Sequence, residues 1–160
     1  MPNKKTDVLV IGGGPAGTTV ATLLRQRGYA VTLLEKDRHP RFHIGESLLP
    51  MNLPILETLG VAEAVKKIAV DKLGAGFSTR DQQAGEQTFY FKDALGDCPP
   101  QAYQVHRSEF DKLLFENCVS VGVDALEGVQ VKQVRRSMAG AIALWLRMKA
   151  ATKPFGTLAF

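Results

Sequence analysis

A turn rich in glycine offers the clearest chemistry in this sequence. It follows an apolar run from Val8 to Ile11, which is typical of a strand buried on both faces. The six residues after the run, GGGPAG, fit the pattern G-x-G-x-x-G. In that pattern Gly12 allows a tight turn, Gly14 lets a pyrophosphate approach the backbone, and Gly17 lets a helix pack closely on the sheet. The spacing therefore predicts a dinucleotide site.

The helix that should follow this turn supplies further phosphate contacts. Pro15 suits the first helical position, where its missing N–H costs nothing. The free N–H groups from Ala16 onward, with the positive end of the helix dipole, would face the phosphates. Gly28 is a natural residue to end this helix.

A carboxylate stands where a ribose would be bound. A second predicted strand, residues 30–34, ends on Glu35, which can accept hydrogen bonds from both hydroxyls of an adenosine ribose. Because Glu35 would repel a 2′-phosphate, it favours FAD or NAD over NADP. The neighbouring Lys36 and Arg38 weaken that argument, and Lys36 itself is a candidate cofactor-binding residue. A glycine-rich turn without a ligand is the alternative.

The composition excludes several classes of protein. With 160 residues, 45% of them hydrophobic and 22% charged, the chain is typical of one globular domain. The net charge is +4 and the basic residues are scattered, which argues against binding to nucleic acid. No stretch reaches the ~20 apolar residues of a membrane span. The first residues do not form a signal peptide, so we expect a cytoplasmic protein.

Neither the cysteines nor the histidines predict a metal site. Cys98 and Cys118 have no metal-binding or redox spacing, and we expect reduced thiols. His39 and His43 lie in a proline-bracketed loop without a carboxylate arrangement that would complete a metal site.

The order of the remaining elements predicts an α/β fold. We expect helices at residues 51–59 and 61–68, a helix that starts at a capping box of Ser108 and Asp111, and strands at residues 123–126 and 129–134. Residues 77–80 and 87–91 flank a polar turn and predict a β-hairpin. A doubly wound sheet needs about five or six parallel strands, and the sequence offers about four. The fold is therefore expected to be incomplete.

One stretch resembles a narrower family. Together with the glycine turn, the sequence RFHIGESLLP at residues 41–50 resembles the start of flavin-dependent halogenases and related FAD-dependent oxidoreductases, which include aromatic hydroxylases and geranylgeranyl reductases. The resemblance implies a Rossmann-like FAD-binding fold with FAD as the cofactor. It places Arg41 along the adenosine side of FAD and Ser47 at the flavin end. From the residues alone, Arg41 could be a surface arginine and Ser47 a helix N-cap.

Further positions carry the same resemblance. The sequence KLGAGF, which starts at Lys72, resembles a family stretch in which a lysine near the substrate pocket receives hypochlorous acid or hydrogen-bonds to it. The sequence VHRSEFDKLLFENC resembles the family stretch in which an arginine, here Arg107, contacts FAD. The resemblance also implies that the backbone of a later strand, at Val129 or its neighbour, contacts the adenine. From residue type alone, Lys72 would be a solvated lysine and Arg107 a salt-bridge partner near a helix start.

The last part of the chain departs from the family pattern. Residues 1–134 are interpreted as the N-terminal part of an FAD-binding domain and residues 135–160 as an atypical tail. The expected second flavin motif, a Gly-Asp pair before a helix, is missing from the sequence, as is the signature Trp-x-Trp-x-x-Pro. Residues 139–148 could form a short apolar helix. We hypothesise that the tail is frameshifted; the alternative is a genuine short paralogue.

The resemblance leaves three reactions and one non-catalytic role open. An intact relative would use reduced FAD, oxygen and halide to halogenate an electron-rich small molecule, with a separate flavin reductase as a possible partner. A hydroxylase would deliver oxygen instead, and a reductase would pass hydride to an alkene. The non-catalytic alternative is a remnant or a dinucleotide-binding module.

Overall fold

The chain forms two compact units. In the computed structural model, residues 6–78, 85–136, 142–148 and 158–159 are described. The first unit contains Met1–Phe42 and Asp111–Phe160, and the second contains His43–Phe110.

A parallel sheet forms the centre of the first unit. Its strands are β1 (Val8–Ile11), β2 (Val31–Glu35) and β7 (Asp124–Glu127), in the order β1-β2-β7. The middle strand β2 is buried along its whole length, because a neighbouring strand lies on each edge. Leu33 lies opposite Val10 of β1 and Ala125 of β7. The predicted strand-helix-strand unit is therefore present.

Two helices belong to this region. Helix α1 (Pro15–Gln26) connects β1 to β2, and α4 (Arg107–Ser120), which belongs to this unit from Asp111 onward, precedes β7. The residues that form the core cluster between these elements are Ala21, Val31, Leu33, Phe115, Cys118 and Val123. Gly28 has a φ of +92°, the left-handed conformation expected just past a helix end. The predicted capping box is wrong, since α4 already begins at Arg107, ahead of Ser108.

The strands after β7 form a second, antiparallel sheet. They are β8 (Val129–Arg136), β9 (Ile142–Met148) and β10 (Leu158–Ala159), in the order β10-β9-β8. The expectation of a fourth parallel strand is wrong within the described residues. Only Gly128 separates β7 from β8, whereas parallel neighbours need a crossover of about a dozen residues. The apolar helix expected at residues 139–148 is wrong over Ile142–Met148, which pairs with β8 as a strand, and residues 139–141 lie outside the described residues.

The second unit contains short helices and antiparallel strands. Its elements in chain order are α2 (Asn52–Thr58), α3 (Ala62–Ile68), β3 (Ala69–Lys72), β4 (Gly74–Ser78), β5 (Glu86–Tyr90) and β6 (Ala102–Val105). Strand β3 pairs with β6, and β4 pairs with β5. The hairpin is confirmed, although it starts earlier than expected and Arg80 lies outside the described residues. The α/β class with a hairpin insertion is therefore confirmed.

Among the described residues, no helix combines the length and apolar character required to cross a membrane.

Candidate functional site

The glycine turn brings backbone atoms unusually close together. Gly12 has a φ of +106°, which L side chains rarely adopt, and its N–H donates to the carbonyl of Leu34 at 2.8 Å. A Cβ on Gly17 would overlap the carbonyl oxygen of Gly12. Glycine is therefore required at both positions for β1 to turn directly into α1.

The start of α1 is left open to an anion. Gly14 is the N-cap and makes no side-chain capping hydrogen bond, and Pro15 is the first helical residue. No acidic residue lies in the first turn, so the positive end of the helix is not neutralised by its own side chains. The backbone N–H groups of Ala16 and Gly17 belong to this turn, which the sequence predicted as the phosphate site.

Glu35 holds the glycine turn directly. Its Oε2 accepts a hydrogen bond from the Gly13 N–H at 2.6 Å, and its Oε1 accepts one from the Asp37 N–H at 2.8 Å. The Glu35 side chain is only 4% exposed. A Cβ on Gly13 would lie 2.9 Å from the Cβ of Glu35, so a larger residue at position 13 would displace the carboxylate. Sequence reasoning assigned no role to Gly13.

Arg41 extends this network. Its Nη2 lies 3.5 Å from Glu35 Oε2 and 3.9 Å from Asp111 Oδ2, and its side chain is 12% exposed. The same Nη2 would lie 3.6 Å from a Cβ on Gly14. Its Nε is buried and makes no hydrogen bond to any described residue. Arg41 is therefore not a surface arginine, and it faces the turn together with Glu35.

Asp111 is the partner that sequence reasoning misread. It was assigned to a capping box, yet its side chain is fully buried and lies beside Arg41. An acidic residue at a helix start gave no signal of this contact, because Arg41 lies far away in the sequence.

Two other predicted cofactor residues stand outside this network. Lys36 has an exposed side chain whose Nζ lies 3.9 Å from Asp37 Oδ2. Val129 is buried and packs with Leu34 in a small cluster, so its side chain belongs to the core.

The second unit brings Ser47 and Lys72 together. Lys72 Nζ donates a hydrogen bond to Ser47 Oγ at 2.6 Å and lies 5.2 Å from the centroid of the Phe91 ring. The N-cap interpretation of Ser47 is wrong, because α2 begins at Asn52 with Met51 as its N-cap. Sequence reasoning named both Ser47 and Lys72 as site residues but did not predict their contact.

Arg107 contacts the backbone of the preceding loop. Its Nη1 donates to the carbonyl of Ile44 at 2.9 Å and more weakly to that of Gly45 at 3.4 Å. Gly45 has a φ of +95°, and a Cβ there would lie 3.3 Å from the same Nη1. In this structure Arg107 therefore shapes the loop that carries Ser47.

His39 has a carboxylate partner that its loop context did not predict. The ring Nδ1 of His39 lies 2.7 Å from Glu127 Oε1, and the backbone N–H of His39 donates to the same oxygen at 2.7 Å. The ring is 2% exposed and packs against Phe115 with centroids 4.9 Å apart. The described residues contain no group of three or more His, Cys, Asp or Glu that could hold a metal ion.

Known proteins resemble this chain over most of its length. Residues 5–151 match the family described as FAD binding domain. The flavin-dependent halogenase armH3 of Armillaria mellea is 42% identical over 82% of this chain and 26% of its own length. A tryptophan 2-halogenase of Chondromyces crocatus is 38% identical over 97% of this chain and 28% of its own length. The chain thus spans about a quarter of these relatives.

The fold agrees with these matches. A solved myxobacterial structure, the chondrochloren halogenase CndH, is 35% identical and superposes with a TM-score of 0.80 over 91% of this chain and 33% of its own. The family match extends past Val134 to residue 151, while the frameshift of the tail stays a prediction. The chain therefore belongs to the FAD binding domain family, as a halogenase-like FAD-binding domain whose cofactor is FAD.

Proposed function

We propose that the glycine turn binds the ADP part of FAD, with the pyrophosphate at the start of α1 and the ribose at Glu35. The observation that carries this proposal is that the glycine turn and Arg41 both contact the carboxylate of Glu35. Glu35 Oε2 is 2.6 Å from the Gly13 nitrogen and 3.5 Å from Arg41 Nη2. An acceptor for hydroxyls, a cation and backbone N–H donors thus lie side by side.

The phosphate half of the proposal rests on charge. The first turn of α1 offers N–H groups and carries no acidic side chain, and the Arg41 guanidinium lies close to Gly14. An anion placed there would be stabilised by the helix dipole and by Arg41. The buried Nε of Arg41, which has no hydrogen-bond partner among the described residues, fits a cation that still has a donor to use.

The ribose half rests on the remaining capacity of Glu35. An ionised carboxylate offers about four lone-pair positions, and the backbone N–H groups of Gly13 and Asp37 use two. Glu35 can still accept from ribose hydroxyls while it fixes the turn. FAD, when bound, supplies the redox chemistry, and the protein supplies binding and orientation.

The other predicted cofactor contacts remain part of the proposal. The backbone at Val129 would contact the adenine, and the exposed Lys36 would contribute to cofactor binding. In the second unit, Ser47 and Arg107 would contribute to the rest of FAD. The bonds from Arg107 to the carbonyls of Ile44 and Gly45 support a role in holding that loop.

Titration with FAD tests the ADP site. We expect the purified chain to bind FAD, with ADP as a competitor and FMN as a poor one, because the contacts proposed for the start of α1, Glu35 and Arg41 are all to the ADP half. Arg41→Met should weaken FAD binding at least about tenfold, since it removes a charged donor. Flavin fluorescence or calorimetry measures both effects.

Arg27→Met is the matched control for Arg41→Met. Arg27 lies at the other, exposed end of α1, so its loss should change FAD affinity by less than about twofold. Competition by FMN but not by ADP would overturn the placement. If FAD does not bind at all, the chain is better described as a non-catalytic remnant.

We propose further that the whole protein halogenates an electron-rich small molecule in the cytoplasm, with a separate flavin reductase as its partner. The halogenase names of the relatives and the Lys72–Ser47 pair support this. Lys72 would hydrogen-bond to the oxygen of hypohalous acid. The substrate carbon would take the halogen and lose its proton, and that proton would leave with the hydroxide as water.

Product analysis separates halogenation from its rivals. When the whole protein is incubated with FAD, a flavin reductase, NADH, bromide and an electron-rich phenol, we expect a brominated product whose formation depends on bromide. A hydroxylated product formed equally without bromide would instead identify a hydroxylase. In a protein that halogenates, Lys72→Ala should abolish the brominated product.

A further inference from the structure

Ser47 and Lys72 meet across strand β6. On one edge of β6, Lys72 of β3 lies opposite Ala102, and Val70 lies opposite Gln104. Ser47 forms an antiparallel bridge with the same Gln104. A strand residue has one neighbour on each edge, so Ser47 lies on the edge of β6 away from β3.

The Ser47 segment is fixed on that edge by backbone hydrogen bonds. The Leu48 N–H donates to the carbonyl of Tyr103 at 2.8 Å, and the Val105 N–H donates to the carbonyl of Glu46 at 2.9 Å. These two bonds flank Ser47, so the position of its Cβ is set by the sheet. The Ser47 hydroxyl is therefore presented from a paired segment.

Lys72 and Ser47 project from the same face of these strands. Directly opposed residues in an antiparallel pair point to one side of the sheet, as do residues two apart along a strand. Lys72, Ala102 and Ser47 are therefore on one face. Ala102 is fully buried, although Gln104 on the same face is exposed. Lys72 reaches Ser47 across β6, because its Nζ donates to Ser47 Oγ from the strand on the other edge.

The Lys72 ammonium ends between two uncharged partners. Ser47 Oγ accepts a hydrogen bond from Lys72 Nζ at 2.6 Å, and the centroid of the Phe91 ring lies 5.2 Å from the same nitrogen. In the part of the chain that the structure describes, neither contact is with a carboxylate. A free lysine side chain samples many rotamers, and such contacts must overcome the loss of that entropy to fix the nitrogen.

We propose that Ser47 is a positioning residue that fixes the Lys72 ammonium. An ammonium has three N–H donors. With one donating to Ser47, two remain that can donate to the oxygen of an incoming hypohalous acid. The use of that position rests on the role proposed above for Lys72, whereas the positioning itself rests on the sheet geometry.

Competitive acetylation tests the positioning without any cofactor. Trace acetic anhydride is added to the purified chain, and peptide mass spectrometry gives the labelling of Lys72 relative to Lys66, an exposed lysine of α3. Acetylation requires the nitrogen to turn toward the reagent, which the bond to Ser47 opposes. Ser47→Ala should raise the Lys72/Lys66 ratio about threefold, the size expected for loss of one exposed hydrogen bond.

Two variants of equal shape isolate the hydroxyl. Ser47→Thr keeps the acceptor and should retain a ratio near that of the wild type. Ser47→Val has nearly the same shape without the acceptor and should match Ser47→Ala. An unchanged ratio in Ser47→Ala and Ser47→Val, or an equal rise in Ser47→Thr, would overturn the proposal.

The outcome is independent of the FAD titration. Labelling is measured without flavin, so failure of FAD to bind would reject the ADP site and leave the positioning intact. Conversely, an unchanged labelling ratio with normal FAD binding would reject only the role of Ser47. Because Ser47 is exposed, these substitutions should not unfold the chain, and Lys66 labelling together with a urea midpoint checks this.

Discussion

The two units of this chain place their site residues in opposite environments. In the first unit, the side chains of Glu35, Arg41 and Asp111 are 4%, 12% and 0% exposed. In the second unit, Ser47 is exposed and Lys72 is half-buried. The first site is built from buried charges packed against a backbone turn, and the second is a single hydrogen bond between side chains at the surface.

This difference indicates where each unit obtains its precision. Buried charges are costly unless they are paired, so the Glu35–Arg41 network holds its geometry only when the surrounding fold is intact. The FAD binding proposed there should therefore be coupled to folding of the first unit. The Ser47–Lys72 pair costs little to form or to lose, and its geometry comes from the sheet beneath it. Substitutions should therefore affect stability in the first unit far more than in the second.

The largest effect on stability should come from adding one methyl group to the glycine turn of the first unit. Gly17→Ala forces a Cβ into the carbonyl of Gly12, and neither backbone segment can move without separating β1 from α1. We expect a loss of at least about 3 kcal/mol in the free energy of unfolding, because overpacking against backbone exceeds the usual cost. Urea unfolding followed by circular dichroism measures this.

Gly76→Ala is the matched substitution in the second unit. The nearest atom to its new Cβ would be Thr88 Oγ1 at 3.8 Å, an ordinary contact in the hairpin. We expect a change below about 0.5 kcal/mol. Equal losses in the two variants would break the comparison, since the glycine turn would then be no more constrained than an exposed hairpin.

The elements of the first site could be predicted because their signals are local. The run Val8–Ile11, the glycine pattern and Glu35 lie within one strand-helix-strand unit, where periodicity and spacing suffice. Contacts between distant segments were not predicted. Asp111 beside Arg41, Glu127 beside His39 and Ser47 beside Lys72 depend on how strands and helices pair, which a single sequence does not state.

The wrong expectations have physical causes of the same kind. Residues 142–148 form a short apolar run, and such a run fits a strand or a helix until a pairing partner is known. Ser47 followed by apolar residues looks like a helix start, but its segment pairs with β6 before the chain reaches α2. In both cases sheet pairing decided the structure, whereas the sequence pattern alone was ambiguous.

The cysteines allow a smaller test of the same comparison. Cys118 lies in the core of the first unit, where burial raises the pKa of its thiol from 9.0 to about 11, partly offset by a hydrogen bond with Thr22. Cys98 of the second unit is partly exposed. Ellman's reagent should therefore react with Cys98 well before Cys118, because only the exposed thiol can be reached in the folded state.

Burial of Cys118 also predicts a dependence of stability on pH. The folded state keeps the thiol protonated up to about pH 11, whereas the unfolded chain releases its proton near pH 9. Between these values the unfolded state binds fewer protons, so the free energy of unfolding falls as the pH rises. From pH 8 to pH 10.5 this one thiol should contribute a loss of about 2 kcal/mol to the free energy of unfolding.

Urea unfolding at both pH values, compared with Cys118→Ala and Cys118→Val, isolates the contribution of the Cys118 thiol because the variants share all other titrating groups with the wild type. If both variants lose as much stability as the wild type, the core of the first unit is open to solvent at Cys118, and the contrast between the units does not extend beyond the proposed FAD site.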